Sequence, residues 1–133
     1  HRDLHLSIRR QRQMCIRDRV AIAVPPERFV SLRAEIGDEV FAEVLRAMLD
    51  DGPRLARESA NAAAAGDLAL AGRRAHALKG DAANLGLDAL SNISRELEQA
   101  ARNNDIAAAQ AAGARMVDQW LAAEAILRAS LAS

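Results

Sequence analysis

Between Glu27 and Leu131 the apolar residues of this chain return every three or four positions, and the repeat breaks at Gly37, Gly52-Pro53, Gly66, Gly86 and Asn103-Asn104. That period gives each segment one helical face for a core, unlike the two-residue alternation of a half-buried strand. Pro25-Pro26 precede a short helix, Glu27 to Ile36, with proline and acid at its start. Gly37 stops it. A long helix runs from Asp38, with Val40, Phe41, Val44, Leu45, Met48 and Leu49 on its stripe. Gly52-Pro53 is expected to kink or break it, and helical pattern resumes from Leu55 to Ala65. Asp67 is a good N-cap for the next helix, Leu68 to about Leu85, which Gly86 ends. Leu87, Leu90, Ile93 and Leu97 mark another amphipathic helix that stops near Asn103-Asn104. Asp105 caps the last, with a stripe of Ile106, Ala109, Gly113, Met116, Val117, Trp120, Leu127 and Leu131.

Composition agrees with the pattern. Half of the chain is apolar, much of it alanine, and the only aromatics are Phe29, Phe41 and Trp120. Alanine and leucine favour helix, whereas strands draw on β-branched and aromatic residues. Short connections make sequential helices pack antiparallel. The expected fold is therefore all-α: an antiparallel up-and-down four-helix bundle with a short additional N-terminal helix, formed by residues 25–133.

Residues 1–24 are read as a non-native or disordered leader. His1 to Arg19 has no sustained apolar stripe, and Met14-Cys15-Ile16-Arg17-Asp18 resembles one reading frame of a transposase end sequence used in preparing DNA libraries. Residues 1–19 are accordingly read as a translated sequencing artefact, and no function is drawn from them. Six arginines against two aspartates give this stretch a charge of +4, which leaves the body at −4 within a net charge of zero. A mildly acidic body is a poor nucleic-acid binder. Cys15 is the single cysteine, so no internal disulfide forms, and a zinc site lacks ligands. The apolar runs are too short to span a bilayer. A soluble, cytoplasmic monomer without cofactor or metal is expected.

The body holds one histidine, His76, and the whole chain one lysine, Lys79. Three residues apart on one predicted helix, they lie within about 60° of each other, with Gly80 about 40° to the other side of His76. Ala69, Gly72, Arg73 and Ala83 share this small, basic face, while Leu78, Leu85, Ala71, Ala75 and Ala82 form the core stripe opposite. His76 should thus point to solvent. An imidazole nitrogen can take a phosphoryl group, and Lys79 can supply the cation that the group needs. Glycine is a poor helix former, so Gly80 makes sense where another backbone must approach closely. Each residue alone is more often an ordinary surface or packing position. Their joint spacing favours function.

Ala75-His76-Ala77-Leu78-Lys79-Gly80-Asp81-Ala82-Ala83-Asn84-Leu85-Gly86 resembles the signature of histidine-containing phosphotransfer (HPt) domains, the carrier modules of bacterial phosphorelays. The likeness extends over about residues 25–131 and includes Ile36-Gly37-Asp38-Glu39, Gly66-Asp67 and Leu97-Glu98. It implies a four-helix bundle in which His76 is phosphorylated, normally on Nε2. Lys79 would stabilise the phosphoryl group, and Gly80 would leave room for the partner. Gly72, Arg73 and Ala83 join Gly80 in the expected docking face. Glu98 matches a position that can be a polar neighbour of the imidazole, and Arg102 could add charge or partner contacts. Asp81 departs from the small residue more usual there. It lies about 140° from His76 and is expected to face Arg74.

The function implied is that of a phosphorelay intermediate in two-component signal transduction, accepting phosphoryl on His76 from one response-regulator receiver domain and passing it to another. A hybrid sensor histidine kinase is a further candidate partner. With no Gly-rich phosphate loop and no obvious acid/base pair, the chain is read as a carrier and not an enzyme with nucleotide-dependent kinase activity. The rival reading is a helical adaptor whose histidine is never phosphorylated, marked by a buried, hydrogen-bonded imidazole. A chain reduced to residues 25–133 is expected to give strong helical circular dichroism and cooperative melting. A substantial stability loss on removing residues 1–19 would contradict the reading of that segment.

Overall fold

The computed structural model describes residues 25–132, all of whose regular elements are helices. The leader assigned to residues 1–24, Cys15 included, lies outside the described residues. Four elements follow one another: α1 (Glu27–Ala65), α2 (Leu68–Asn84), α3 (Asp88–Arg102) and α4 (Ile106–Ala132). Each packs on its neighbours in sequence, and α4 closes back on α1. This ring of contacts is an all-α, up-and-down four-helix bundle.

Gly37 divides α1. Its φ of 86° and ψ of 164° leave the helical region, so residues 27–36 form the short leading helix. Phe29 and Phe41 are buried on either side of this break and meet edge to face, 5.4 Å between centroids. Arg28 donates from Nε to the carbonyl of Asn84 at 3.3 Å, which ties the leading helix to the end of α2.

The three connections end their helices in the same way. At each, a residue in the left-handed region follows the last turn: Gly66 (φ 79°), Gly86 (φ 71°) and Asn104 (φ 55°). The next amide then reaches back five residues in the Schellman pattern. Asp67 N–H donates to Ala62 O at 2.8 Å, Leu87 N–H to Ala82 O at 2.9 Å, and Asp105 N–H to Ala100 O at 2.9 Å. Asp67 and Asp105 also cap the following helix, accepting from the amides of Leu70 and Ala108. One residue thus ends one helix and starts the next, which keeps the hairpins tight.

Two sequence expectations change. Helix α1 runs through Gly52-Pro53 without a break, since Gly37 is its one residue outside helical dihedrals. Gly52 is instead a packing position: a Cβ there would overlap the indole of Trp120 on α4. The stripe of α4 is also narrower than its large residues suggest. Ile106 and Val117 are exposed, as is Val40 on α1, while Ala109, Ala112, Gly113, Met116, Trp120, Ala123 and Leu127 are buried. Small side chains let α4 approach α1 closely; a Cβ at Gly113 would lie 2.9 Å from that of Ala63.

Overpacking a close-packed core costs about 1–3 kcal/mol. Gly52→Ala should therefore lower the melting temperature by several degrees and shift the emission of Trp120, the only tryptophan. An unchanged melting temperature and spectrum would show that the indole has room to move.

Candidate functional site

Helices α2 and α3 pack across a narrow seam. A Cβ on Gly72 would lie 3.2 Å from the Cβ of Ala101, so two small residues bring the helices together one turn before His76. Leu78 and Ala75 turn inward and are fully buried, which sends His76 outward. Its side chain is 67% exposed.

Glu98 reaches across from α3. Its side chain is only 10% exposed, and three groups converge on it. His76 Nδ1 lies 2.6 Å from Oε2, Lys79 Nζ donates to Oε1 at 2.6 Å, and Arg102 donates to Oε2 at 3.2 Å. The hydrogen bond from Lys79 is the largest influence on this carboxyl. It acts against partial desolvation and with the bond to His76, and the net result holds Glu98 below its ordinary value. An ionised carboxylate has no proton to offer, so Nδ1 carries the hydrogen and donates it. In the neutral ring this tautomer leaves the lone pair on the other nitrogen, Nε2.

A shallow groove adjoins the ring, floored by Ala69, Gly72 and Ala101 and flanked by Arg73 and Arg102. Gly80, on the other side of His76, has open space where a side chain would project. Arg73 and Ala83 are exposed along the same helix. The eight residues singled out in the sequence thus gather on one face of α2 and the adjoining edge of α3. Gly72 has a packing role besides, against Ala101. The burial and triple pairing of Glu98 depend on a neighbouring helix, so little in its own stretch of sequence marks it. The available signal was Arg102 one turn after it, at the spacing of a helical ion pair.

Asp81 does not face Arg74. Arg74 pairs with Glu58 at 2.7 Å, and Asp81 lies beside Asp51 on the groove between α1 and α2. Desolvation, then repulsion from Asp51, raises the Asp81 carboxyl above its ordinary value. Among the described residues no three His, Cys, Asp or Glu side chains are grouped as metal ligands would be, and no helix is long and apolar enough to cross a membrane.

The family model of the Hpt domain matches residues 43–129, about two-thirds of the chain. The chain belongs to the Hpt domain family. The match starts within α1, ends within α4 and encloses His76 and Glu98. Hpt domains serve histidine phosphotransfer in phosphorelay signalling, interact with response regulators, and act as phosphocarriers, not kinases. Comparison with curated proteins and with solved structures gives no significant match.

The two shifted carboxyls predict opposite acid responses. Glu98, depressed in the fold, contributes stability above its ordinary value of 4.5, and this is lost as pH falls through the depressed value. Asp81, raised in the fold, contributes below its ordinary value of 3.8, and this is lost as pH rises through the raised value. Glu98→Gln should therefore melt lower than the parent at pH 7 and lose part of the acid-induced decline. Asp81→Asn should melt higher at pH 7, with the gap closing below pH 3.8. Melting curves across pH check both, and an Asp81→Asn variant that melts lower at neutral pH would contradict the assignment.

Proposed function

We propose that this Hpt domain carries a phosphoryl group on Nε2 of His76 and relays it between the receiver domains of response regulators. The observation that carries the reading is the exposed imidazole whose Nδ1 is held by a nearly buried carboxylate. In the forward step the Nε2 lone pair attacks phosphorus of a receiver's phosphoaspartate. The N–P bond forms, the acyl P–O bond breaks, and the aspartate leaves as carboxylate. The hydrogen on Nδ1 stays in place, so the phosphorylated ring is a cation facing Glu98, which stabilises it. The return step onto a second receiver reverses these events.

Lys79 and Arg102 stand on either side of Glu98 as cations within the same cluster. Lys79 is assigned to the phosphoryl oxygens. Gly80, Gly72, Arg73 and Ala83 are assigned to the docking face, with Arg102 at its edge. A hybrid sensor histidine kinase is a further candidate source of phosphoryl, and a cytoplasmic monomer is the form in which we expect the domain to work. A buried imidazole would favour the adaptor alternative, and the exposure of His76 argues against it.

Incubation with labelled, phosphorylated receivers should place acid-labile, base-stable label on the domain. His76→Ala should accept none while keeping its helical spectrum, and label surviving that substitution would sink the reading. Lys79→Ala should still be labelled, but roughly tenfold or more slowly, because the nucleophile remains while one stabilising charge is gone. Gly80→Gln should keep or raise the melting temperature and slow transfer by about a hundredfold, since small displacements at an in-line reaction are costly. A destabilised Gly80→Gln with normal transfer per folded molecule would assign that glycine to packing.

A further inference from the structure

Asp81 follows Gly80 on the helix that carries His76, and the proposed relay gives it no task. It stands on the rim of a groove between α1 and α2 whose floor is apolar, with Val44, Met48 and Leu85. Asp51 stands on the same groove and bears on Asp81 as a like charge. Among the described residues Asp81 has no ion-pair partner: Arg74 is committed to Glu58 at 2.7 Å, and Arg54 is shared between Glu58 at 3.4 Å and Asp51 at 3.7 Å, so it offsets only part of the Asp51 charge. Desolvation first, and then the like charge of Asp51, disfavour the Asp81 carboxylate in the free domain. The same arrangement complements a side chain with an aliphatic stem and a cationic head.

We propose that this groove receives a lysine or arginine side chain of the docking receiver domain, its stem on Val44, Met48 and Leu85 and its charge between Asp51 and Asp81. The inference rests on the relay reading for the identity of the partner, and it adds a selection rule. Receivers that present a basic residue toward this side of α2 dock productively. Receivers that present an acidic residue there meet repulsion. Asp81 is a specificity residue and not a catalytic one, because its side chain lies on the α1 side of α2, whereas Glu98 holds the imidazole from the α3 side.

Two arms test this, both on the full chain. In the first, n-butylguanidinium is titrated into labelled protein and followed by amide chemical shifts, with n-butylurea as the neutral control. Saturable shifts are expected around Asp51, Asp81 and Leu85 with the cation only, lost in Asp81→Asn and kept in Asp81→Glu. Shifts scattered over all surface carboxylates, or none at the groove, would overturn the proposal whatever the phosphorelay result. In the second, Asp81→Asn is assayed with receivers that label His76. A rise in KM of roughly three- to tenfold at low salt, fading at high salt with kcat held, is expected of a rim charge. Parental KM at low salt would overturn the proposal while leaving the relay intact. A lack of labelling by every receiver would instead remove the relay reading, with the first arm still deciding the groove.

Discussion

The hydrogen bond between His76 Nδ1 and Glu98 is the interaction on which the site depends. Moving a carboxylate largely out of water is unfavourable by several kcal/mol unless charged donors replace the lost hydration. Glu98 has two cationic donors, Lys79 and Arg102, and a third partner in the His76 ring, and each lies where it does because of the bundle. Lys79 is one turn after His76 on α2, Arg102 is one turn after Glu98 on α3, and the Gly72–Ala101 contact sets the distance between the helices. A larger residue at either seam position would widen the gap and separate Glu98 from the imidazole. The ring would then lose the bond that fixes its tautomer, on which the proposed attack from Nε2 relies.

The register of α2 against α3 follows from the connection between them. Gly86 takes up a left-handed conformation, and a Cβ there would also lie 2.6 Å from the Cβ of Arg28. The same residue therefore ends α2, starts the hairpin and seats the leading helix. Stability and chemistry are separated around α2: its inner face supplies Ala71, Ala75, Leu78 and Ala82 to the core, and its outer face carries His76, Gly80 and Arg73. Substitutions on the outer face can therefore change the surroundings of His76 without unfolding the domain.

Features governed by neighbouring residues in the chain were legible in the sequence. Asp67 and Asp105 cap the helices assigned to them, and Gly37, Gly66 and Gly86 interrupt them, because capping and left-handed dihedrals are local chemistry. The outward direction of His76 followed from helical period alone. Features set by packing between distant segments were not legible. Gly52 looked like a helix breaker because its partner, Trp120, is on another helix. Ile106 and Val117 looked like core residues because size outweighed the small residues that α4 buries. Asp81 was paired with Arg74 along one helix, whereas α1 supplies both the partner of Arg74 and the neighbour of Asp81.

The central claim is chemical and atom-specific: phosphoryl on Nε2, hydrogen on Nδ1, carboxylate behind it. Long-range proton–nitrogen spectra of the phosphorylated, nitrogen-15-labelled protein read all three at once. Phosphorus coupling should appear on Nε2 of His76, and Nδ1 should give the shift of a protonated nitrogen that moves when Glu98 is replaced by glutamine. Phosphorus coupled to Nδ1, or a His76 ring without phosphorus in a protein that has taken up label, would contradict the account.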